Sequence, residues 1–152
     1  MITKLKYVGI CREDLIEIYI LYIRSLLEYC STLWHSSLTL DQRNRIENVQ
    51  KLCLKVILGS EYFSYEAALE LCNLETLSER REKRCLNFGL KSLLHPRHAK
   101  MFPVNPNMDK YDTRNSEHFQ VNWASTEQYR KSAIPYIQRK LNTYVRTQKS
   151  QT

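Results

Sequence analysis

The sequence is poor in the residues that interrupt helices. It has three glycines and four prolines among 152 residues, while 43% of the residues are hydrophobic. A β-sandwich needs a turn signal roughly every 8–12 residues, which so few glycines and prolines cannot supply. Long apolar runs with few turn residues favour helices around a buried core. We therefore expect a mainly α protein, a small bundle of four to five helices with an irregular linker and a C-terminal helix.

The sequence also lacks the side-chain groupings of known catalytic sites. Its four aspartates are Asp14, Asp41, Asp109 and Asp112, and no two are adjacent. Two-metal phosphoryl transfer needs clustered carboxylates, and Asp109 and Asp112 fall in a linker-like stretch. A glycine-rich phosphate loop and a Ser–His–Asp pattern are absent too. We expect that the chain is not an enzyme and uses no cofactor.

Disulfide and metal patterns are weak. The five cysteines, at 11, 30, 53, 72 and 85, include no CxxC pair. An odd number at wide spacing indicates reduced, buried thiols of an intracellular protein. His95 and His98 flank Pro96 but lack the further ligands of a structural zinc site. We expect no metal.

Membrane and secretion signals are missing as well. The longest apolar run, residues 15–23, is interrupted by Glu17 and followed by Arg24, so it falls short of the roughly 20 residues of a membrane span. Residues 1–6 lack the apolar core of a secretory signal. These patterns predict no membrane partner and a nuclear or cytoplasmic location.

Apolar residues at spacings of three and four predict the helices. The expected helices cover residues 13–34, 40–58, 65–72, 77–94 and a last segment that begins near Pro135. Thr39 with Gln42, and Thr76 with Glu79, have the spacing of a capping box, and Ser64 can cap the third helix. The predicted division is a helical bundle over 1–96, an extended linker over 97–125, and a basic helix with a frayed tail over 126–152.

The helical spacing also predicts which apolar side chains are buried. Leu86, Leu90, Leu93 and Leu94 are expected to be buried on the fourth helix, and Ile134, Ile137, Leu141 and Val145 on the last. Six linker residues are expected to pack as isolated anchors: Met101, Phe102, Val104, Phe119, Val121 and Trp123.

Positive charge is in excess and is unevenly distributed. The chain has 23 basic and 16 acidic residues, a net charge of +7. Residues 76–100 have a net charge of +5, and residues 128–149 contain six basic side chains and no acid. Such stretches can bind phosphate with release of counterions, although basic helix faces are also often simply solvated.

Tyrosines accompany these basic stretches. Tyr111, Tyr129, Tyr136 and Tyr144 could stack on unpaired bases while Arg or Lys holds phosphate. Half-buried packing is the alternative for any tyrosine on an amphipathic helix. It is the preferred interpretation for Tyr19, Tyr22 and Tyr29.

Three sequence phrases occur in a fixed order. They are residues 23–29 (IRSLLEY, with Trp34 close behind), 46–51 (IENVQK) and 77–81 (LSERR). Together they resemble the region downstream of the polymerase centre in non-LTR (LINE-type) retrotransposon reverse transcriptases. The likeness continues more loosely through 114–116 and 131–135. It implies the α-helical thumb, over 1–96, and the connector beyond it, which grip the template–product duplex.

The resemblance implies binding rather than polymerisation, because the paired aspartates, the fingers and the palm of that family are missing. The expected function is a non-catalytic fragment of an RNA-directed DNA polymerase that binds template RNA, DNA or their hybrid through phosphate. The candidate phosphate contacts are Arg80, Arg81, Lys83, Arg84, Lys91, Arg130, Lys131, Arg139, Lys140 and Arg146.

Other roles are left open. Arg81 could equally be a structural arginine between helices, and Trp34, Gln50 and Tyr29 are expected to be structural. The alternative function is a helical protein-interaction module, or an inert remnant that packed on the missing palm. It predicts an exposed apolar patch on one of the first two helices and self-association.

Overall fold

A computed structural model describes residues 1–106 and 118–149. About 72% of the described residues are helical, which confirms the predicted mainly α bundle. Within the described ranges there is no β-strand, although Val104 and Phe119 form a single antiparallel bridge.

The helices follow one another with short connections. They are α1 (Ile2–Tyr7), α2 (Arg12–Ile18), α3 (Ser25–Leu27), α4 (Ser31–Trp34), α5 (Leu40–Leu58), α6 (Tyr65–Leu71), α7 (Leu77–Leu93), α8 (Pro96–Ala99), α9 (Glu127–Arg130) and α10 (Ala133–Lys149). A π-helical segment, Tyr19–Arg24, joins α2 to α3. Short 3₁₀ turns, His35–Ser37 and Gly59–Glu61, follow α4 and α5.

The first predicted helix, over 13–34, is wrong at its C-terminal end. The helical backbone stops at Leu27 and resumes at Ser31. Between them Cys30 has a φ of 49°, a left-handed conformation that an α-helix cannot contain. The short helix α1 (Ile2–Tyr7) was not predicted.

The predicted ends of α5 and α6 are confirmed. The Thr39 hydroxyl accepts from the Gln42 backbone N–H at 3.2 Å, and the Gln42 side chain accepts from Thr39 N–H at 2.9 Å. Ser64 caps α6 in the same way through its hydroxyl. Gly59 and Asn73, just beyond the two helices, have φ of 60° and 51°. These local interactions need no tertiary contact, which is why the sequence predicts them.

The chain divides into two compact units. The N-terminal unit comprises Met1–Ser31 and Leu38–Arg81, and the C-terminal unit comprises Thr32–Ser37 and Glu82–Thr152. The division falls inside α7 and not at residues 96 and 125, where the sequence pattern changes. Residues 97–125 contribute to the C-terminal unit.

In the N-terminal unit, α5 supplies both halves of the core. Leu54 and Leu58 pack with buried residues of α6, and Ile57 packs with Leu15 and Tyr19. Lys6 donates from Nζ to the carbonyls of Val56 and Ile57 at 2.7 and 3.0 Å, and so satisfies the C-terminal end of α5.

In the C-terminal unit, α7 and α10 enclose the core. Its buried residues are Cys85, Phe102, Phe119, Ile137 and Leu141, with Ile134, Val145, Leu86, Leu90, Leu93 and Met101 packed against them. The predicted apolar face of α10 is thus confirmed, as are the anchors Phe102 and Phe119. The predicted burial of Leu94 and Trp123 is wrong, because these side chains are 85% and 84% exposed.

Two amides on α10 hold the irregular segments in place. Asn142 accepts from Phe119 N–H at 2.7 Å and donates to the Phe119 carbonyl at 2.9 Å. Gln138 donates to the Met101 carbonyl at 2.8 Å and accepts from Asn122 N–H at 2.9 Å. Both amides are nearly or fully buried. They pair backbone groups that would otherwise be buried without partners.

Gly89 allows the close packing of α7 on α10. A Cβ at this position would lie 2.7 Å from Ile137 Cγ2 and 3.2 Å from both Leu141 methyl carbons. The Ile137 Cγ2 atom is bonded to a branched Cβ and cannot move aside by a rotation of χ2.

We expect Gly89→Ala to lower the free energy of unfolding by roughly 1–3 kcal/mol, as overpacking of a core does. The sign of the change in free energy of unfolding is informative. Without overpacking, alanine would stabilise the helix relative to glycine by about 1 kcal/mol. Urea titration followed by circular dichroism measures the change, with the exposed α7 residue Asn87 replaced by alanine as control. A more stable Gly89→Ala variant would show that α7 and α10 are not this close.

Two further properties of the described residues concern membrane spans and thiols. No helix in the described part of the chain is long and apolar enough to cross a membrane. All five cysteines are free thiols, but only Cys72 and Cys85 are buried, and Cys11 and Cys30 are exposed. The prediction that all the thiols are buried is therefore wrong.

Candidate nucleic-acid interface

Charge is segregated between the two units. The N-terminal unit contains 10 basic and 11 acidic residues, a net charge of −1, whereas the C-terminal unit contains 13 basic and 5 acidic residues, a net charge of +8. Eight of the ten candidate phosphate contacts belong to the C-terminal unit, and only Arg80 and Arg81 do not. The excess of positive charge therefore belongs to the C-terminal unit.

Arg80 and Arg81 are placed differently from the prediction. Arg80 Nε lies 2.7 Å from Glu28 Oε1, and its Nη2 lies 3.4 Å from Oε2. The hydrogen bond to Glu28 raises the pKa of Arg80. Arg81 has no exposed surface, so it cannot reach a phosphate in this conformation, and its burial favours the structural alternative. These two arginines do not form part of the candidate interface.

Glu47 joins the second sequence phrase to the third. Its carboxylate accepts from the Leu77 and Ser78 backbone N–H groups at 3.0 and 3.3 Å, and from the Tyr65 hydroxyl. A carboxylate at this place satisfies the first N–H groups of α7 and interacts favourably with the helix dipole. Burial, with the bond to Glu47, raises the pKa of Tyr65.

Gln50 completes the same polar network. It is fully buried, accepts from the Tyr19 hydroxyl, and donates to the Tyr65 hydroxyl at 2.8 Å and the Glu75 carbonyl at 3.0 Å. Burial also raises the pKa of Tyr19. Glu28 lies in the first of the three phrases, Glu47 and Gln50 in the second, and Arg80 in the third. Residues of the three phrases therefore form hydrogen bonds between helices of the N-terminal unit. The sequence alone did not predict this role for Glu28 or Glu47.

On α7, the basic side chains of the C-terminal unit are exposed. Lys83, Asn87 and Lys91 lie at i, i+4 and i+8, so they share one face of the helix, and Arg84 lies beside it. All four side chains are exposed. This spacing places cations along one line on the helix surface.

On α10, the cations occupy the side away from the core. Arg139 and Arg146 lie at i and i+7 of the helix, with Thr143 between them, while Ile137 and Leu141 are buried on the other side. Arg139 Nη2 also donates to the Arg130 carbonyl at 2.6 Å. It therefore links α10 to α9.

Lys140 is partly neutralised. Its Nζ lies 2.7 Å from Glu82 Oε2 and 5.6 Å from the centre of the Tyr136 ring. Burial lowers the pKa of Lys140, but the bond to Glu82 and the Tyr136 group outweigh it and the net direction is upward. Lys140 is thus less available to a ligand than its charge alone would suggest.

Glu127 binds two cations on and after α9. Arg130 donates to it through Nε and Nη2 at 2.7 and 2.8 Å, and Lys131 Nζ lies 3.3 Å away. The Arg130 and Lys131 hydrogen bonds lower the pKa of Glu127 to about 2. Because this pKa is depressed, the small contribution to stability is present above the ordinary glutamate pKa and is lost as the pH falls toward 2. Glu127 therefore keeps its charge throughout the neutral range.

The remaining cations are in clear excess. In the described part of the C-terminal unit, Glu82 and Glu127 are the acidic residues, and both are ion-paired. The same ranges contain eleven basic residues. This surface is therefore able to attract a polyanion.

The tyrosines divide by burial. Tyr129 and Tyr144 are 44% and 37% exposed, and burial raises the pKa of Tyr136. Tyr111 lies outside the described residues. Tyr19 is buried as predicted, but Tyr22 and Tyr29 are 61% and 75% exposed, so their predicted packing roles are wrong. Trp34 is half-buried in the C-terminal unit.

Metal-ligating side chains are not grouped in the described ranges, where no set of three or more His, Cys, Asp or Glu could hold an ion. The rings of His95 and His98 lie 4.6 Å apart, and His95 Nδ1 accepts from the Arg97 backbone N–H. Asp109 and Asp112, and residues 114–116 of the sequence resemblance, lie outside the described residues.

The candidate interface is therefore defined by its chemistry, as a cationic surface with exposed aromatic side chains. Comparisons of the chain with protein-family models, curated proteins and solved structures found no match.

Proposed function

We propose that this chain is a non-catalytic fragment of a retrotransposon RNA-directed DNA polymerase, from the thumb and the connector beyond it, which binds nucleic acid through phosphate. The observation that supports binding is the net charge of +8 on the C-terminal unit against −1 on the N-terminal unit. The polymerase lineage rests on the ordered sequence phrases.

The mode of binding follows from the side chains. Lys83, Lys91, Arg139 and Arg146 are cations on helix surfaces, where they can meet phosphates but present no fixed pattern to base edges. Contacts of this kind position a nucleic acid without reading its sequence. Binding should therefore depend little on sequence and strongly on salt.

A salt titration tests the proposal. With six or more phosphate contacts, the affinity for an RNA–DNA hybrid should fall about 10³-fold between 50 and 200 mM salt. Filter binding of the full chain to hybrid, RNA and DNA of one sequence measures both the slope and any preference. Failure to bind any of the three at 50 mM salt contradicts the proposal.

Removing a competing carboxylate should strengthen binding. We expect Glu127→Gln to raise the affinity on the order of 3–10-fold at low salt and to steepen the salt dependence, because Arg130 and Lys131 are then freed for phosphate. Folding should change little, since exposed ion pairs contribute little to stability. The same filter assay measures the effect.

Glu70→Gln makes the same change of charge on exposed α6 in the N-terminal unit, and is the matched control. Equal gains in the two variants would show that only the total charge matters and that the α9 cations are not contacts.

One observation favours the alternative of a protein-interaction module. Leu21, Tyr22, Leu26 and Tyr29 are 58–77% exposed on and just after the helix formed by α2, the π-helical segment and α3. An apolar patch of this kind is typical of an interaction surface. Self-association that is insensitive to salt and abolished by Leu26→Ser, in a chain that does not bind nucleic acid, would favour this second function.

A further inference from the structure

Trp123 is the most exposed large aromatic side chain of the C-terminal unit in the described ranges, at 84%. Tryptophan has a large apolar ring that folded proteins usually bury at least in part. The ring of Trp123 is therefore available to a ligand on a unit whose net charge is +8.

The backbone next to Trp123 is fixed rather than free. Asn122 N–H donates to the buried Gln138 side chain at 2.9 Å, and Asn122 Nδ2 donates to the Tyr129 hydroxyl at 3.3 Å. Three residues earlier, Phe119 is buried and held by both polar atoms of Asn142. The ring thus projects from an anchored segment, which lowers the entropy lost when it stacks on a ligand.

The Asn122–Tyr129 hydrogen bond links this segment to α9, which is followed by further cations. Tyr129 is followed directly by Arg130 and Lys131, and the Arg130 carbonyl accepts from Arg139. Since Tyr129 bonds Asn122, these cations are connected to the segment that bears Trp123. Exposed aromatic rings beside Arg and Lys are the usual means by which proteins hold unpaired nucleotides.

We propose that Trp123 stacks on an unpaired base of a single-stranded RNA or DNA segment, while Arg139 contacts a neighbouring phosphate and Arg130 and Lys131 do so in competition with Glu127. The inference rests on the proposed function and adds the class of ligand for this part of the surface. A duplex offers no open base face except at its ends, so the ring distinguishes single strands from duplexes.

The test compares ligands and variants. The unaltered chain and its Trp123→Ala and Trp123→Tyr variants are titrated with 12-nucleotide oligo(dT), 12-nucleotide oligo(rU) and a hairpin duplex whose two ends are closed by non-nucleotide linkers, so that it has no unpaired base. We expect Trp123→Ala to weaken single-strand binding roughly 5- to 100-fold and hairpin binding less than about twofold. Trp123→Tyr should recover most of the loss, since tyrosine also stacks. Phe63→Ala removes an aromatic side chain that is 85% exposed in the N-terminal unit, and serves as control.

Fluorescence gives an independent readout. The chain has two tryptophans, so Trp34→Phe leaves Trp123 as the sole indole. Its emission should be quenched by oligo(dT), saturating at the same concentration as filter binding, while the hairpin should leave it nearly unchanged.

The outcomes separate the two proposals. If the unaltered chain binds neither single strands nor the hairpin, the proposed function fails. In the other case, the unaltered chain binds both single strands and the hairpin. If Trp123→Ala then weakens the binding of both ligands equally, or of neither ligand, the stacking role is overturned and the proposed function stands.

Discussion

Glu28→Ala is expected to lower the free energy of unfolding by about 1.5–3 kcal/mol, the usual contribution of a charge-assisted hydrogen bond, because Glu28 is buried while Arg80 is partly exposed. Glu28 is 1% exposed, and its carboxylate accepts from Arg80 at 2.7 Å. The whole stability of a domain this size is about 5–15 kcal/mol. Chemical denaturation followed by circular dichroism measures the loss, and Glu70→Ala on exposed α6 is the control. A loss below about 1 kcal/mol would contradict the buried pair.

A double-mutant cycle isolates the pair itself. Arg80→Met keeps the apolar stem but removes the charge, and Glu28→Leu replaces the carboxylate by a group of similar volume. We expect the double variant to be more stable than the sum of the single losses predicts, with a coupling of roughly 1–3 kcal/mol. The coupling should be less sensitive to salt than that of a surface pair, because Glu28 is buried and Arg80 is only partly exposed.

Neutralising four cations of the C-terminal unit should produce the largest change in binding. The residues replaced together by glutamine are Lys83, Lys131, Arg139 and Arg146. If each contacts a phosphate, the log–log salt slope should flatten by about 3–4 units and the affinity at low salt should fall on the order of 10²–10³-fold. Filter binding of an RNA–DNA hybrid at several salt concentrations measures both quantities.

The matched control removes four exposed cations from the N-terminal unit: Lys4, Arg12, Arg45 and Lys55. Both variants change the net charge equally, but the control should alter binding only modestly through long-range attraction. Equal losses would mean that total charge, rather than the C-terminal unit, determines binding.

Helix caps and apolar helix faces were predicted from the sequence more accurately than the roles of individual side chains. The start of α5 at Thr39 and the cap at Ser64 were predictable, because a hydroxyl needs only the third N–H along the chain. The apolar face of α10 was predictable from helical spacing. The end of the first helix at Leu27 was not, since its sequence continues the apolar period through Trp34.

The candidate interface was anticipated in part. The excess of cations over residues 82–149 can be counted in the sequence, but consecutive arginines give no sign of which one is buried. Arg80 bonds a residue 52 positions away, and Arg81 is fully buried. An acidic residue in an otherwise apolar helix, such as Glu28, was the available signal for that contact.

By itself, the sequence determined a mainly α chain, the caps of its central helices and a positive C-terminal half, because neighbouring residues fix helix propensity, capping and charge. Only the tertiary structure decided that Glu28, Glu47 and Gln50 join helices, that Gln138 and Asn142 hold the irregular segments, and that Trp123 is exposed. These properties depend on contacts between residues far apart in the chain, and no local pattern encodes which of them become neighbours.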